Sequence, residues 1–340
     1  MTSLFKDKTM KYSDNALNIL TAKTFNGIGD AWINKNLSKT KTSPLELIVE
    51  LLAKSVKKET VSEEIFLQRK SNIEKQILLL GDSCDGVVAI GDEKFPTHRG
   101  AVKESEQPNV LFYKGDLGLL SLENTNVAVI GVLTPDEDTE MDERKIVSLL
   151  VQQDAVIVSG LAQGCDFIAH DQTLKFGGAT VAILPSPLNN IMPVKHREFA
   201  QQIFETGGLL ITEYYDAPST KMELSSRYIR RDRLQALFSD IVILSASYTP
   251  NSVDPTALKI DSGSRHAMEK SLEYSIPRAV IYHEKYQRNP KYDLNRQVMK
   301  DAKVIVIDPT NPMPMITQIL NLDKSPSSNQ ESDDGQMGLF

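Results

Sequence analysis

Ala155-Val156-Ile157-Val158-Ser159-Gly160-Leu161-Ala162-Gln163-Gly164-Cys165-Asp166 sets the pattern for most of the chain. An apolar, largely β-branched run gives way to a turn of small residues, and helical spacing follows over Phe167–Phe176. A short strand that is apolar throughout is buried on both faces, and a strand that leads at once into a helix is half of a parallel crossover unit. The pattern recurs on either side. Val87–Ile90, Val127–Ile130, Ala179–Leu184, Leu209–Ile211, Ile241–Leu244, Ala279–Tyr282 and Val304–Ile307 are further apolar runs. Asp142–Gln153, Lys195–Glu205 and Tyr228–Phe238 are amphipathic stretches between them. Residues 82–322 therefore read as an α/β domain with a mostly parallel sheet covered on both faces.

Residues 1–81 read as a helical N-terminal domain. Ala16–Leu20 opens an apolar run, Phe25-Asn26-Gly27-Ile28-Gly29 turns the chain, and Ala31-Trp32-Ile33 resumes it. Leu45, Leu47, Ile48, Leu51 and Leu52 fall at helical spacing behind Ser43 as cap and Pro44 in the first turn. Glu63–Leu80 gives another helix, ended by Gly81. Residues 323–340 are polar and read as a disordered tail.

A length of 340 residues fits about two folded units. Lys and Arg number 38 against 45 Asp and Glu, for a net charge of −7. Asp323, Glu331, Asp333 and Asp334 against Lys324 put about three of those charges in the tail. The body is closer to neutral, and a local basic groove stays open as a reading. No run approaches the ~20 apolar residues of a membrane span, and the opening residues lack the apolar core of a secretion signal. Cys84 and Cys165 are too few and too scattered for a disulfide framework or a zinc cluster. Together these features place the chain in a reducing cytoplasm, with no membrane, metal or cofactor expected.

The strand ends carry the chemistry. Val127–Ile130 ends at Gly131, the quoted run enters Ser159–Gly164, and Ile241–Leu244 leads through a long loop to Asp261-Ser262-Gly263-Ser264 and another helix. Glycine-serine turns that open helices present backbone N–H groups and a positive dipole end, which suits phosphate. Arg227-Tyr228-Ile229-Arg230-Arg231-Asp232-Arg233 places Arg227, Arg230 and Arg231 near one helix face with Arg233 on the flank. A solvated surface and a phosphate grip both fit that run. His170 is better placed to bond a neighbouring loop than to transfer protons. No P-loop, nucleophile elbow or metal-ligand spacing is present, so the chain reads as a binding protein and not an enzyme.

Ser159–Asp166 with Ala169-His170 resembles the signature "SGLARGID..AH" of the DNA-processing protein A family, also called Smf. Gly177–Leu184 is similar to its "GG.TIAVL", Gly208–Tyr214 to "G.LLSEY", Arg231–Leu234 to "RNRI" and Ser262–Ser264 to "SGSL". Phe95-Pro96 and Pro108–Asp116 resemble the "YP" and "PP.LFYRGD" segments that enter the domain. The resemblance covers about residues 86–283 and implies an extended Rossmann-like fold without catalytic activity. It implies a single-stranded-DNA site at Gly131, Ser159, Gly160, Gly164, Asp166, His170, Arg230, Arg231, Arg233, Ser262, Gly263 and Ser264. It also implies loading of a RecA-type recombinase in recombination and natural transformation, and a homodimer. Gly27-Ile28-Gly29 is similar to the helix-hairpin-helix-like module that often precedes this domain. The chain departs from the family where Val132-Leu133 replaces Ser-Arg, where Asp232 replaces Asn, and in its long Ser247–Asp261 loop.

At the end of the tail, Gln336-Met337-Gly338-Leu339-Phe340 resembles the Q-x-x-L-F peptide that docks on the DNA polymerase sliding clamp. A competing reading is a nucleotide-binding sensor or nucleotide hydrolase of the same superfamily. Against hydrolysis, no "PGG.GT..E" loop is present, and Glu213 and Glu223 are isolated acids.

Overall fold

The computed structural model describes residues 10–38 and 44–322. Ten strands form one sheet: β1 (Lys11–Tyr12), β2 (Gly86–Ala89), β3 (Val110–Gly115), β4 (Asn126–Ile130), β5 (Val156–Ser159), β6 (Thr180–Ile183), β7 (Leu209–Thr212), β8 (Ile241–Leu244), β9 (Arg278–Ile281) and β10 (Ile305–Ile307). Their order is β1-β2-β3-β7-β6-β5-β4-β8-β9-β10. β3 runs antiparallel to both β2 and β7, and the remaining pairs are parallel. The α/β class with a mostly parallel, Rossmann-like sheet is what the structure has.

Eleven helices among the described residues cover the sheet: α1 (Asp14–Ala22), α2 (Asp30–Leu37), α3 (Leu45–Ser55), α4 (Glu63–Leu78), α5 (Glu137–Val151), α6 (Cys165–Lys175), α7 (Arg197–Glu205), α8 (Lys221–Leu237), α9 (Arg265–Glu273), α10 (Asp293–Val298) and α11 (Met313–Leu320). Side chains alternate along each strand, and here both sets are apolar. Ala128, Ile130, Val156, Val158, Val242 and Leu244 meet Leu234 and Leu237 of α8 and Met268 of α9. The interleaved set Val127, Val129, Ile157, Ile241 and Ile243 meets Ile146 and Leu150 of α5 and Ile316 of α11. Continuous apolar runs are therefore required, which is why these strands could be read directly.

The amino-terminal helices have local reasons to form. Ser13 caps α1 by accepting from the Ala16 N–H (2.9 Å), and Ser62 caps α4 by accepting from the Ile65 N–H (3.3 Å). α1 is buried along nearly its whole length. Its residues Ala16, Ile19 and Leu20 share one apolar cluster with Phe66 and Ile77 of α4 and with Val87, Ala89, Val110, Phe112 and Leu210 of the sheet. That cluster runs across position 81, where α4 gives way to β2. Gly27 takes a φ of +85° in the turn between α1 and α2, a region that favours glycine. Ser43 and the clamp-like Gln336, Leu339 and Phe340 lie outside the described residues. No described helix is long and apolar enough to cross a membrane.

Candidate functional site

From β4 the chain steps outward through β5, β6 and β7, then returns to lay β8 on the other side of β4. This reversal opens a crevice at the carboxyl ends of the strands, the place where such sheets bind ligands. A cavity of about 520 Å³ lies there, walled by the turns after β4, β5 and β8 and by one face of α8.

Bare backbone lets these turns approach one another. Gly164 has a φ of +77°, and a Cβ on it would fall 2.3 Å from the Val132 carbonyl oxygen. The Cys165 N–H donates to that carbonyl (3.1 Å), and a Cβ on Gly131 would fall 2.5 Å from the Cys165 sulfur. The third turn is tied in by side chains. The Ser264 hydroxyl donates to the Gly131 carbonyl (2.8 Å). Asp261 accepts from the Leu133 N–H (2.7 Å) and the Gly263 N–H (3.2 Å).

Arg231 forms part of the cavity wall. It is 3% exposed, lies 3.6 Å from Asp166 and 3.6 Å from Asp232, and occupies the space a Gly160 side chain would need. Asp166 also accepts from the Gly160 N–H (3.2 Å) and the Ala162 N–H (3.3 Å), so it holds both the turn and the guanidinium. Burial raises the Asp166 carboxyl above its ordinary range despite the pull of Arg231. Asp232 is pushed up to about 7 by burial, with Asp166 and Asp261 adding to the rise and Arg231 opposing it. Tyr228, Gln235, Lys259 and His266 add to the polar lining.

Helical spacing alone predicts Arg227, Arg230 and Arg231 on one face, but the structure divides them. Arg227, Arg230 and Arg233 recur every third residue and turn away from the cavity. Arg233 grips Glu213 through both nitrogens (2.8 and 2.7 Å) and donates to the Glu106 and Arg230 carbonyls. Arg230 pairs with Asp30 of α2 and lies 3.6 Å from Glu213. Arg227 pairs with Glu223 (2.6 Å) over the Tyr214 ring. The structure thus places Arg230 and Arg233 outside the cavity, as ties between α8, the end of β7 and α2.

Of the other expected residues, Gly131, Asp166, Arg231, Gly263 and Ser264 line the cavity. Gly160 and Gly164 shape its wall without lining it. Ser262 instead accepts from Arg265 (2.9 Å). Ser159 is fully buried and donates to the Val129 carbonyl (2.6 Å). His170 is also fully buried. Thr180 gives its hydroxyl proton to the Ile157 carbonyl (2.7 Å), so it accepts from His170 Nδ1 (2.7 Å). Burial, reinforced by the nearby positive charge of Arg231, lowers His170 to about 3, and the ring stays neutral. Its role is to bond a neighbouring strand. Tyr228, Gln235, Lys259, Asp261 and His266 were not among the expected site residues. Tyr228 and Gln235 could have been found from Arg231 by three- and four-residue helical steps.

Behind the cavity, Glu143 is fully buried and faces the Cys165 thiol and Ser245, with neither oxygen in good hydrogen-bond geometry. Burial pushes its carboxyl up to about 8. The folded protein therefore holds a proton that the unfolded chain releases near pH 4.3. The stability this confers is complete below that pH and is lost as pH rises to about 8. Glu143→Gln should remove this decline. Urea midpoints measured at pH 5 and pH 9 should show the variant gaining on the parent at the higher pH, whereas parallel curves would contradict a buried neutral carboxyl.

The family model described as DNA recombination-mediator protein A matches residues 86–252. Protein Smf of Escherichia coli is 26% identical over 57% of this chain and 50% of its own length. DNA processing protein DprA of Streptococcus pneumoniae is 28% identical over 57% of this chain and 63% of its own. The chain spans about half the length of the first curated relatives it matches. A structure of DNA processing protein A from Streptococcus pneumoniae superposes with a TM-score of 0.65 at 21% identity, over 91% of this chain and 99% of that one, and shows the shared fold. A structure of DNA processing protein A from Helicobacter pylori, described for its single-stranded DNA binding mode, has a TM-score of 0.50 at 26% identity, over 63% of this chain and 87% of that one. The matched segment contains β4, β5 and α8 with two of the three turns that build the cavity, and over those residues the chain carries a domain of the DNA recombination-mediator protein A family, that of the DprA and Smf proteins.

Proposed function

We propose that this chain binds single-stranded DNA at the carboxyl-end cavity and acts in DNA processing and recombination as a binding protein, without catalysis of its own. The observation that carries this reading is the meeting of three βα turns and the Arg231 face of α8 around one cavity at the sheet's topological switch point. A relative from Helicobacter pylori whose structure concerns single-stranded DNA binding supports it. Loading of a recombinase and pairing of two copies belong to the same proposal. So does docking of Gln336, Leu339 and Phe340 on the sliding clamp.

The charges in the cavity shape the expected binding. Arg231 and Lys259 face Asp166, Asp232 and Asp261. Asp261 also occupies the N–H groups of Leu133 and Gly263, which a phosphate oxygen would otherwise take. Removing it exposes those donors and deletes a like charge. Fluorescence anisotropy with a labelled mixed-sequence oligonucleotide should show affinity falling as salt rises. Asp261→Ala should bind roughly fivefold tighter, the effect of about 1 kcal/mol from one nearby charge in water. Lys259→Ala should bind more weakly and flatten the salt slope by about 0.7. Absence of binding at low salt would overturn the reading, and displacement by free nucleotides alone would favour a nucleotide sensor.

The tail is tested separately. Changing Leu339 and Phe340 to Ala should abolish retention on immobilised sliding clamp and leave oligonucleotide affinity as it was. Full retention by that variant would remove the clamp from the proposal.

A further inference from the structure

Three carboxylates face the cavity, and two are already engaged. Asp166 accepts from Gly160 and Ala162, and Asp261 accepts from Leu133 and Gly263. Among the described residues Asp232 accepts no hydrogen bond, and its ion-pair partner is the Arg231 Nε at 3.6 Å, a distance too long for a hydrogen bond. Its side chain is 15% exposed. A carboxylate that has lost most of its water without gaining donors is costly, and it becomes satisfied only when N–H groups are brought to it. The rise of its pKa to about 7 expresses that cost. Arg231 stands at the same 3.6 Å from Asp166 and is packed against Gly160, so Asp232 shares this one guanidinium with a second carboxylate.

The surroundings define the missing donor. Asp232 shares the cavity-facing side of α8 with Tyr228 and Gln235, and the Tyr228 ring gives an aromatic surface of the kind on which unpaired bases stack. A carboxylate offers two acceptor oxygens in one plane and no donor when ionised. Guanine alone among the DNA bases presents two adjacent donors, N1–H and the 2-amino group, on its Watson–Crick edge. Adenine and cytosine place a ring-nitrogen acceptor beside their amino group, and thymine flanks its N3–H with carbonyls, so an ionised carboxylate meets repulsion from each.

We infer that Asp232 reads guanine, its two oxygens accepting from N1–H and the 2-amino group of an unpaired base held in the cavity. This rests on the single-stranded-DNA reading. A free guanine nucleotide offers the same edge, so the test includes both sources.

The experiment uses the full chain and its Asp232→Asn variant. The isosteric amide is neutral, and the carboxyl is itself half protonated near pH 7, so the fold tolerates the change. Thermal melting checks that it does. Anisotropy is measured at pH 8 on labelled oligo(dT) with and without a central run of dG, and with dGMP as competitor. The parent should bind the dG-containing strand roughly five- to tenfold tighter, the lower range for one bidentate contact. The variant should lose that preference and, with one negative charge gone from the cavity, bind oligo(dT) at least as tightly as the parent does. Equal binding of both strands by the parent would overturn the role of Asp232 and leave the DNA reading standing, and so would a preference that survives in the variant. Binding of dGMP, lost in the variant, with no binding of either strand would keep the guanine site and discard the DNA reading. No binding of any probe would overturn both.

Discussion

The site depends on one buried guanidinium. Arg231 lies against the bare α-carbon of Gly160 and between Asp166 and Asp232, joining α8 to the turn after β5. A buried positive charge is tolerated only with partners in place, and removal of one partner typically costs about 3–5 kcal/mol. Around that contact the other choices follow. Gly160 must lack a side chain. Asp166 must begin α6 where it can reach both the turn's N–H groups and Arg231. His170, under the same charge, must stay neutral. The opposite side of α8 is held by a second buried pair, in which burial raises the Glu213 carboxyl and Arg233 and Arg230 hold it below its ordinary range. The helix is therefore clamped on both sides, and its remaining face, with Tyr228, Asp232 and Gln235, is presented to the cavity as a rigid wall.

Function follows from what that wall leaves unpaired. Arg231 and Lys259 favour a phosphodiester, while Asp166, Asp232 and Asp261 limit how much negative charge can enter. Such a cavity does not hold a bare anion strongly. It suits a ligand that brings phosphate to one side and a donor-bearing base to the other, and a nucleotide unit has both.

The sheet was legible because burial on both faces demands continuous apolar runs. Ile241–Leu244 matches β8 at both ends, and the other runs fall within a residue or two of β2, β4, β5, β6, β7, β9 and β10. β1, two residues long, leaves no period to read. β3 was visible only as part of a family motif, since nothing local says that Val110–Gly115 runs antiparallel between β2 and β7. The same limit applied to the arginines. Helical spacing says which of them share a stripe, but the partners that decide their roles come from Asp30 and Glu213, which only the tertiary fold brings to α8. Asp261 reaches Leu133 across a separation of 128 residues, and no pattern in the loop announces it. The turns after β4 and β5 were recognisable because close backbone approach requires glycine at Gly131 and Gly164.

Nucleic acid is proposed to enter at the carboxyl ends of β4, β5 and β8. Hydrogen exchange of backbone amides, measured with and without a single-stranded oligonucleotide, tests it most directly. Protection should appear together over residues 131–133, 159–166 and 261–266 and on the cavity face of α8. Protection confined to the amino-terminal helices, or to the side of α8 that carries Arg227, Arg230 and Arg233, would contradict it.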